Sequence, residues 1–128
     1  MNPARSQEID LGFVNWGKDL GLFEGAIIVE CKSSTDPTTS PETSWFIDKI
    51  RRKHQKNGVL FSLNGITGNQ EDKKCAHDII LRAFIQEGIM VFVITRVEIL
   101  SIKSSEDLIE LIRKKFTKLV FEEDIFYS

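Results

Sequence analysis

The stretch that decides the fold is Ala26-Ile27-Ile28-Val29-Glu30-Cys31-Lys32, an apolar run that ends in a Glu-x-Lys triplet. A run that is apolar on both faces predicts a central strand of a sheet. Because successive side chains of a strand point to opposite faces, Glu30 and Lys32 share one face and Cys31 lies on the other. Desolvating a carboxylate and an ammonium at the end of a buried strand is costly. The two charges are therefore either a structural ion pair that reaches solvent or part of a site whose chemistry needs both of them.

One predicted strand precedes this stretch, and helices and strands alternate after it. Upstream, residues 8–15 alternate between apolar and polar positions, which predicts a half-buried strand. Downstream, Ser40-Pro41-Glu42 predicts the start of a helix that runs to about residue 56, with Asn57-Gly58 as its stop. The remaining predicted elements are a strand at 59–63, a helix at 72–87 that Gly88 ends, a strand at 89–95, an extension or edge strand at 97–102, and a last helix that begins at Ser104 or Ser105.

This order predicts the fold class. A short link between the first two strands favours antiparallel pairing, whereas strands separated by helices favour right-handed crossovers and parallel pairing. We therefore expect an α/β protein with a mixed central sheet and helices on both faces. A length of 128 residues suits a single domain spanning 1–128.

Composition argues against a strongly basic nucleic-acid-binding protein, a cysteine metal site, and a membrane or secreted protein. The net charge of -2 gives no global basic field, so any contact with nucleic acid has to come from a local patch. The two cysteines, Cys31 and Cys75, lack metal-site spacing and are expected to be free thiols in a reducing compartment. There is no apolar stretch long enough for a membrane span and no secretory pattern at the N-terminus, so we expect a cytoplasmic protein without a membrane partner.

Asp10 gives the Glu-x-Lys triplet a chemical meaning. If the first two strands pair around a turn near residue 20, Asp10 lies opposite Glu30. Two carboxylates at that position suit a hard divalent cation, Mg²⁺ or Mn²⁺, and the backbone carbonyl of Cys31 is a candidate third ligand. In a metal site that hydrolyses a phosphate ester, Lys32 would orient the water that attacks the phosphorus or neutralise the negative charge that develops on the phosphate. Asp19 is the competing first acid, because a two-residue turn at Glu24-Gly25 would place Asp19 opposite Glu30 instead.

These residues resemble the PD-(D/E)xK, or restriction-endonuclease-like, superfamily, and most closely its type IV methyl-directed branch. The pieces that carry the resemblance are Glu8-Ile9-Asp10-Leu11, Ile28 to Lys32, Phe46-Ile47-Asp48-Lys49, and the stretch GVLFSLNGITG at 58–68.

The resemblance implies a three-layer restriction-endonuclease-like fold and a Mg²⁺-dependent endonuclease that hydrolyses DNA in restriction or phage defence. It implies catalytic roles for Asp10, Glu30 and Lys32, and homodimers for many members. Two features depart from the family pattern: Ile9 rather than proline precedes Asp10, and the usual N-terminal helix has no counterpart. The chain is thus expected to be a fragment of a longer protein or a domain without that edge. A catalytically silent nucleic-acid-binding or assembly module with the same fold is the alternative.

Five residues are candidate nucleic-acid contacts. The end of the 41–56 helix is basic, which suits phosphate binding but also favours the helix dipole and a solvated face. A polar residue after the 59–63 strand either shapes a loop or contacts substrate. The candidates are Lys49, Arg51, Arg52 and Lys53 on the helix and Asn64 after the strand.

Overall fold

A computed structural model describes residues 8–14, 25–32, 37–63 and 70–122 of the chain. One four-stranded sheet has the order β1-β2-β3-β4; β1 is antiparallel to β2, and β2, β3 and β4 are parallel. The predicted α/β class, with a mixed sheet and this pattern of strand directions, is confirmed. The elements are β1 (Glu8–Val14), β2 (Ala26–Lys32), α1 (Ser40–Arg52), β3 (Asn57–Ser62), α2 (Gln70–Glu87), β4 (Met90–Thr95), α3 (Arg96–Ser101) and α4 (Ser105–Glu122).

Both faces of the three parallel strands are covered. Each of these strands contains four consecutive buried residues, which is possible only when neither face meets water. The α1 helix lies on the face that carries Gly58 and packs beside α2, while α4 contacts β4. On the opposite face Val29, Val59 and Phe92 are buried as well.

The start of α1 lies one residue earlier than the sequence predicts. Thr39, not Ser40, is the N-cap: its hydroxyl accepts a bond from the Glu42 N–H, and the Glu42 carboxylate accepts one from the Thr39 N–H at 3.0 Å. This reciprocal capping box satisfies two backbone donors at once. The helix ends at Arg52, short of the predicted residue 56, and His54 follows with a left-handed φ of 57°.

Asn57-Gly58 is predicted to stop the first helix but instead begins β3, so that prediction is wrong. The reason is a close approach between helix and sheet. A Cβ atom on Gly58 would lie 2.9 Å from the Phe46 ring and would overlap Ile50 Cδ1. The glycine therefore serves packing rather than helix termination, and it lets α1 lie close to the strand.

The prediction of a strand at 97–102 is also wrong, because α3 occupies this region. Thr95 and Glu98 form a second capping box, in which the Thr95 N–H donates to Glu98 Oε1 at 3.0 Å. The other Glu98 oxygen lies 2.8 Å from Nζ of Lys115, an almost fully buried lysine on α4. The Thr-x-x-Glu signal is present in the sequence, and it outweighs the β-propensity of the valine and isoleucines that follow Thr95.

Two further expectations concern the cysteines and membrane-spanning helices. Cys31 and Cys75 are free thiols, as predicted. None of the helices in the described part of the chain combines the length and the continuous apolar character that crossing a bilayer requires.

Candidate active site

The pairing of β1 with β2 brings the predicted acids together. The register places Asp10 directly opposite Glu30, and Glu8 opposite Lys32. Directly opposite residues share a face of the sheet, so Asp10 occupies the same face as Glu30 and Lys32. The register is the one expected from the sequence, and Asp19, the competing acid, lies outside the described residues.

The hydrogen-bond pattern defines what kind of pair Asp10 and Glu30 form. The Leu63 N–H donates to the Lys32 carbonyl at 3.2 Å, so the backbone groups of Lys32 face β3. Backbone groups alternate in direction along a strand, so those of Cys31 face β1 and those of Glu30 face β3. Asp10 and Glu30 are therefore a pair without mutual backbone hydrogen bonds, the type in which opposite residues are closest. The Cys31 carbonyl is directed toward the same strand that carries Asp10.

Glu30 is a buried carboxylate held by two lysines. Its exposed fraction is only 2%. Nζ of Lys49, which projects from α1, donates to Glu30 Oε1 at 2.6 Å, and Nζ of Lys32 lies 3.5 Å from Glu30 Oε2. Burying an isolated carboxylate would be very costly, and the two ammonium groups offset that cost.

Lys32 links Glu30 to a second carboxylate. Its Nζ donates to Glu42 Oε2 at 3.1 Å, while Glu42 Oε1 accepts the Thr39 N–H in the capping box. Burial alone would raise the pKa of the Glu42 carboxyl, but hydrogen bonds from Thr39 and Lys32 outweigh it and lower that pKa below 4.5. The result is a continuous charged cluster, defined here as Lys49, Glu30, Lys32 and Glu42, whose formal charges cancel.

Two buried hydroxyl groups lie at the carboxyl end of β3, beside Lys32. Ser62, the last residue of β3, is in register with Lys32, and its Oγ lies 2.6 Å from Thr38 Oγ1. Both side chains are almost completely buried. Asn64, predicted to contact nucleic acid, follows this edge and lies outside the described residues.

Known proteins offer no relative from which the role of this cluster could be transferred. No protein-family model, curated protein or solved structure matches the chain. The function of the charged cluster therefore has to be inferred from its own residues.

Two members of the cluster are not assigned to it by the sequence. The sequence predicts a nucleic-acid contact for Lys49 and identifies Glu42 only as a first-turn acid. A signal for both is nevertheless present: Glu42, Phe46 and Lys49 follow at i, i+4 and i+7, so they lie on one face of α1. Because Phe46 is buried against the sheet, its two charged neighbours on that face lie over the sheet as well.

The basic side chains of residues 51–53, at the end of α1, are all exposed, but they differ in whether they form ion pairs with carboxylates. Arg51 donates to both carboxylate oxygens of Glu87 on α2, at 2.8 and 2.6 Å, and also pairs with Asp48. Arg52 and Lys53 are exposed. Of the predicted contacts on this helix, these last two are thus the ones open to a polyanion.

The candidate metal ligands at this end of β2 are all oxygen atoms: the Asp10 and Glu30 carboxylates and the Cys31 backbone carbonyl. Among the described side chains there is no group of three His, Cys, Asp or Glu residues arranged to hold a metal. Burial and the nearby Glu30 charge raise the pKa of the Cys31 thiol, which lies on the other face of the sheet. Cys31 can therefore contribute only its carbonyl to the Asp10 side of β2. Two carboxylates and a carbonyl are hard donors that fit Mg²⁺ or Mn²⁺.

Proposed function

We propose that this chain is a restriction-endonuclease-like domain of three layers that hydrolyses DNA phosphodiester bonds with Mg²⁺ or Mn²⁺. The observation that carries the proposal is the register of Asp10 opposite Glu30, with Lys32 on the same face at the carboxyl end of β2. Burying Glu30 and Lys32 at the end of the central strand is costly, and phosphodiester chemistry that also uses Asp10 of the neighbouring strand would explain that cost.

The Asp10 and Glu30 carboxylates and the Cys31 carbonyl would hold the divalent cation. Their support is chemical: all three are hard oxygen donors, and the two acids are neighbours across the strand pair. When bound, such a cation polarises a phosphate and lowers the pKa of a bound water. The Asp10 carboxylate would add a second negative charge opposite Glu30, and this charge would favour a cation.

Lys32 would act on the phosphate. Its ammonium is held between Glu30 Oε2 and Glu42 Oε2 and its side chain is 12% exposed, so its position is restricted before substrate arrives. A fixed donor of this kind stabilises negative charge that develops on phosphate oxygens, and it loses little energy to reorganisation. Glu42 is then a positioning residue that holds Lys32 from the side of α1.

DNA binding would rely on a local patch, since the net charge of the chain is -2. Arg52 and Lys53 lie on the exposed end of α1, the helix that also delivers Lys49 to Glu30. These side chains lie at the carboxyl end of α1, near the amino end of β2, where Gln55 Oε1 accepts the Ala26 N–H, so their phosphate contacts would hold the DNA backbone at the end of the sheet opposite Lys32. Asn64 would contact the substrate from the end of β3.

A catalytically silent nucleic-acid-binding or assembly module is the second candidate. The observation that favours it is that the charged cluster is already neutral without a metal, since Glu30 contacts two ammonium groups and Lys32 contacts two carboxylates. Such a module would bind DNA without cutting it.

Plasmid cleavage separates the two candidates. Supercoiled plasmid is incubated with the wild type in Mg²⁺ and in EDTA, and in parallel with Asp10→Asn, Glu30→Gln and the control Lys103→Ala, which removes an exposed charge between α3 and α4. The nuclease predicts Mg²⁺-dependent nicking by the wild type and the control, and none by the two acid variants. DNA binding by gel shift without any nicking would select the silent module. Equal nicking by Asp10→Asn would refute the assigned site.

A further inference from the structure

Lys49 and Lys32 contact the same carboxylate, but they are anchored differently. Lys32 belongs to β2 itself and is also held by Glu42 at 3.1 Å. Lys49 reaches Glu30 from α1 by a flexible side chain that is 23% exposed, against 3% for the side chain of Glu30. Rotation of its own bonds is therefore enough to move the Lys49 ammonium toward solvent, whereas Glu30 is fixed in the central strand.

The Lys49 contact is also the shorter one. Its Nζ lies 2.6 Å from Glu30 Oε1, the distance of a strong charge-assisted hydrogen bond. A divalent cation would bind the same carboxylate at about 2.0–2.1 Å for Mg²⁺. Both cations would then lie within a few ångströms of each other at a carboxylate that water scarcely reaches, where like charges are weakly screened.

We infer that Lys49 is an internal competitor of the divalent cation at Glu30. In the metal-free protein its ammonium compensates the buried carboxylate, and it withdraws from Oε1 when the cation binds. This inference rests on the proposed function, because it presupposes a metal site at Asp10 and Glu30. Its consequence is that Lys49 stabilises the empty site and weakens metal affinity, the opposite of what a residue that supports the metal would do.

Calorimetric titration with Mn²⁺ tests the competition directly. The proteins are the wild type, Lys49→Met, which keeps the length of the side chain without its charge, and Lys103→Met, a matched control at an exposed lysine. Glu30→Gln, titrated in parallel, reports on the metal site itself. We expect Lys49→Met to bind Mn²⁺ at least tenfold more tightly than the wild type. Lys103→Met should bind like the wild type, and Glu30→Gln should not bind.

A second measurement uses the wild type alone and does not depend on the folding of a variant. Lysines are acetylated briefly with and without Mg²⁺, and the modified peptides are quantified by mass spectrometry. Release of the ammonium from Glu30 should raise acetylation of Lys49 severalfold when Mg²⁺ is added, while acetylation of Lys103 should not change.

The outcomes distinguish failure of the inference from failure of the proposed function. Equal or weaker Mn²⁺ binding by Lys49→Met, with normal binding by the wild type, overturns the competition and leaves the metal site standing. Unchanged acetylation of Lys49 at a Mg²⁺ concentration that saturates the wild type overturns it as well. If neither the wild type nor Lys49→Met binds Mn²⁺, the metal site itself is refuted and the competition with it.

Discussion

Replacing Lys32 with alanine separates catalysis from stability. The ammonium lies 3.1 Å from Glu42 Oε2 and 3.5 Å from Glu30 Oε2. After the replacement Glu30 still has Lys49 at 2.6 Å, and Glu42 still has its bond from the Thr39 N–H at 3.0 Å. Neither carboxylate is left uncompensated. The free energy of unfolding should therefore fall by about 1.5–3 kcal/mol, the range for one hydrogen bond to a charged group, rather than by the roughly 3–5 kcal/mol of an unpaired buried charge.

The expected effect on cleavage is much larger than this decrease in stability can explain. Removal of a charge-stabilising donor lowers a rate by roughly a hundred- to a thousandfold. Even a domain at the lower limit of ordinary stability, about 5 kcal/mol, would keep roughly 3 kcal/mol after a decrease of about 2. That remainder corresponds to a folded-to-unfolded ratio of more than about 100, since each 1.4 kcal/mol is a factor of about ten. Unfolding would thus remove about 1% of the activity, or about 3% after the largest expected decrease of about 3 kcal/mol, which leaves roughly 2 kcal/mol and a ratio of about 30.

Urea unfolding in EDTA and plasmid nicking in Mg²⁺, measured on the same preparation of Lys32→Ala, give the two quantities. Lys103→Ala controls for the removal of one positive charge. A Lys32→Ala protein that nicks DNA at the wild-type rate, or whose activity falls only in proportion to its unfolded fraction, would refute the catalytic role. A decrease in stability well above about 3 kcal/mol would refute the claim that Lys49 compensates Glu30 after Lys32 is removed.

Three further predictions follow from other parts of the structure. Gly58→Ala should lower the free energy of unfolding by about 1–3 kcal/mol in urea titrations, because the new methyl group meets the Phe46 ring; unchanged stability would show that α1 can move away. Because the pKa of Glu42 is lowered in the folded state, the unfolded chain binds more protons than the folded protein just below pH 4.5. The Glu42 carboxylate therefore contributes to stability above that pH, and this contribution is lost as the pH falls through the folded-state pKa. Glu42→Gln should therefore flatten the acid side of the plot of Tm against pH, and an unaltered acid limb would contradict this linkage. The double variant Arg52→Glu, Lys53→Glu should weaken DNA binding and reduce the slope of log affinity against log salt by about 0.9 for each phosphate that the protein no longer neutralises; the same slope as the wild type would mean that the patch is only solvated.

The predictable part of this fold came from patterns confined to a few neighbouring residues. The apolar run of β2 and the alternation of β1 identify both strands, and Gly88, predicted to end the second helix, follows α2 with a φ of 70°. Besides small shifts at the ends of α1, two segments were assigned wrongly, and in both a local signal was ambiguous. Asn57-Gly58 resembles a helix stop, but the glycine is needed by packing, and the residues after Thr95 have strand propensity although a capping box begins a helix there.

What the sequence by itself determined about the candidate site is the shared face of Glu30 and Lys32 and the antiparallel direction of the preceding strand, whereas Asp10 and Asp19 both remained candidates for the position opposite Glu30 that the structure gives to Asp10. Side chains of a strand alternate with a period of two, so Glu30 and Lys32 had to share a face, and the short connection made β1 the antiparallel neighbour that carries Asp10. Only the tertiary structure decided which side chains from elsewhere surround Glu30. Lys49 and Glu42 reach the cluster because α1 lies close over the sheet at Gly58. The local spacing of Glu42, Phe46 and Lys49 indicates only that they share a face of α1. The position of that helix depends on packing between residues distant in the chain, so the ammonium at 2.6 Å from Glu30 appears only in the tertiary structure.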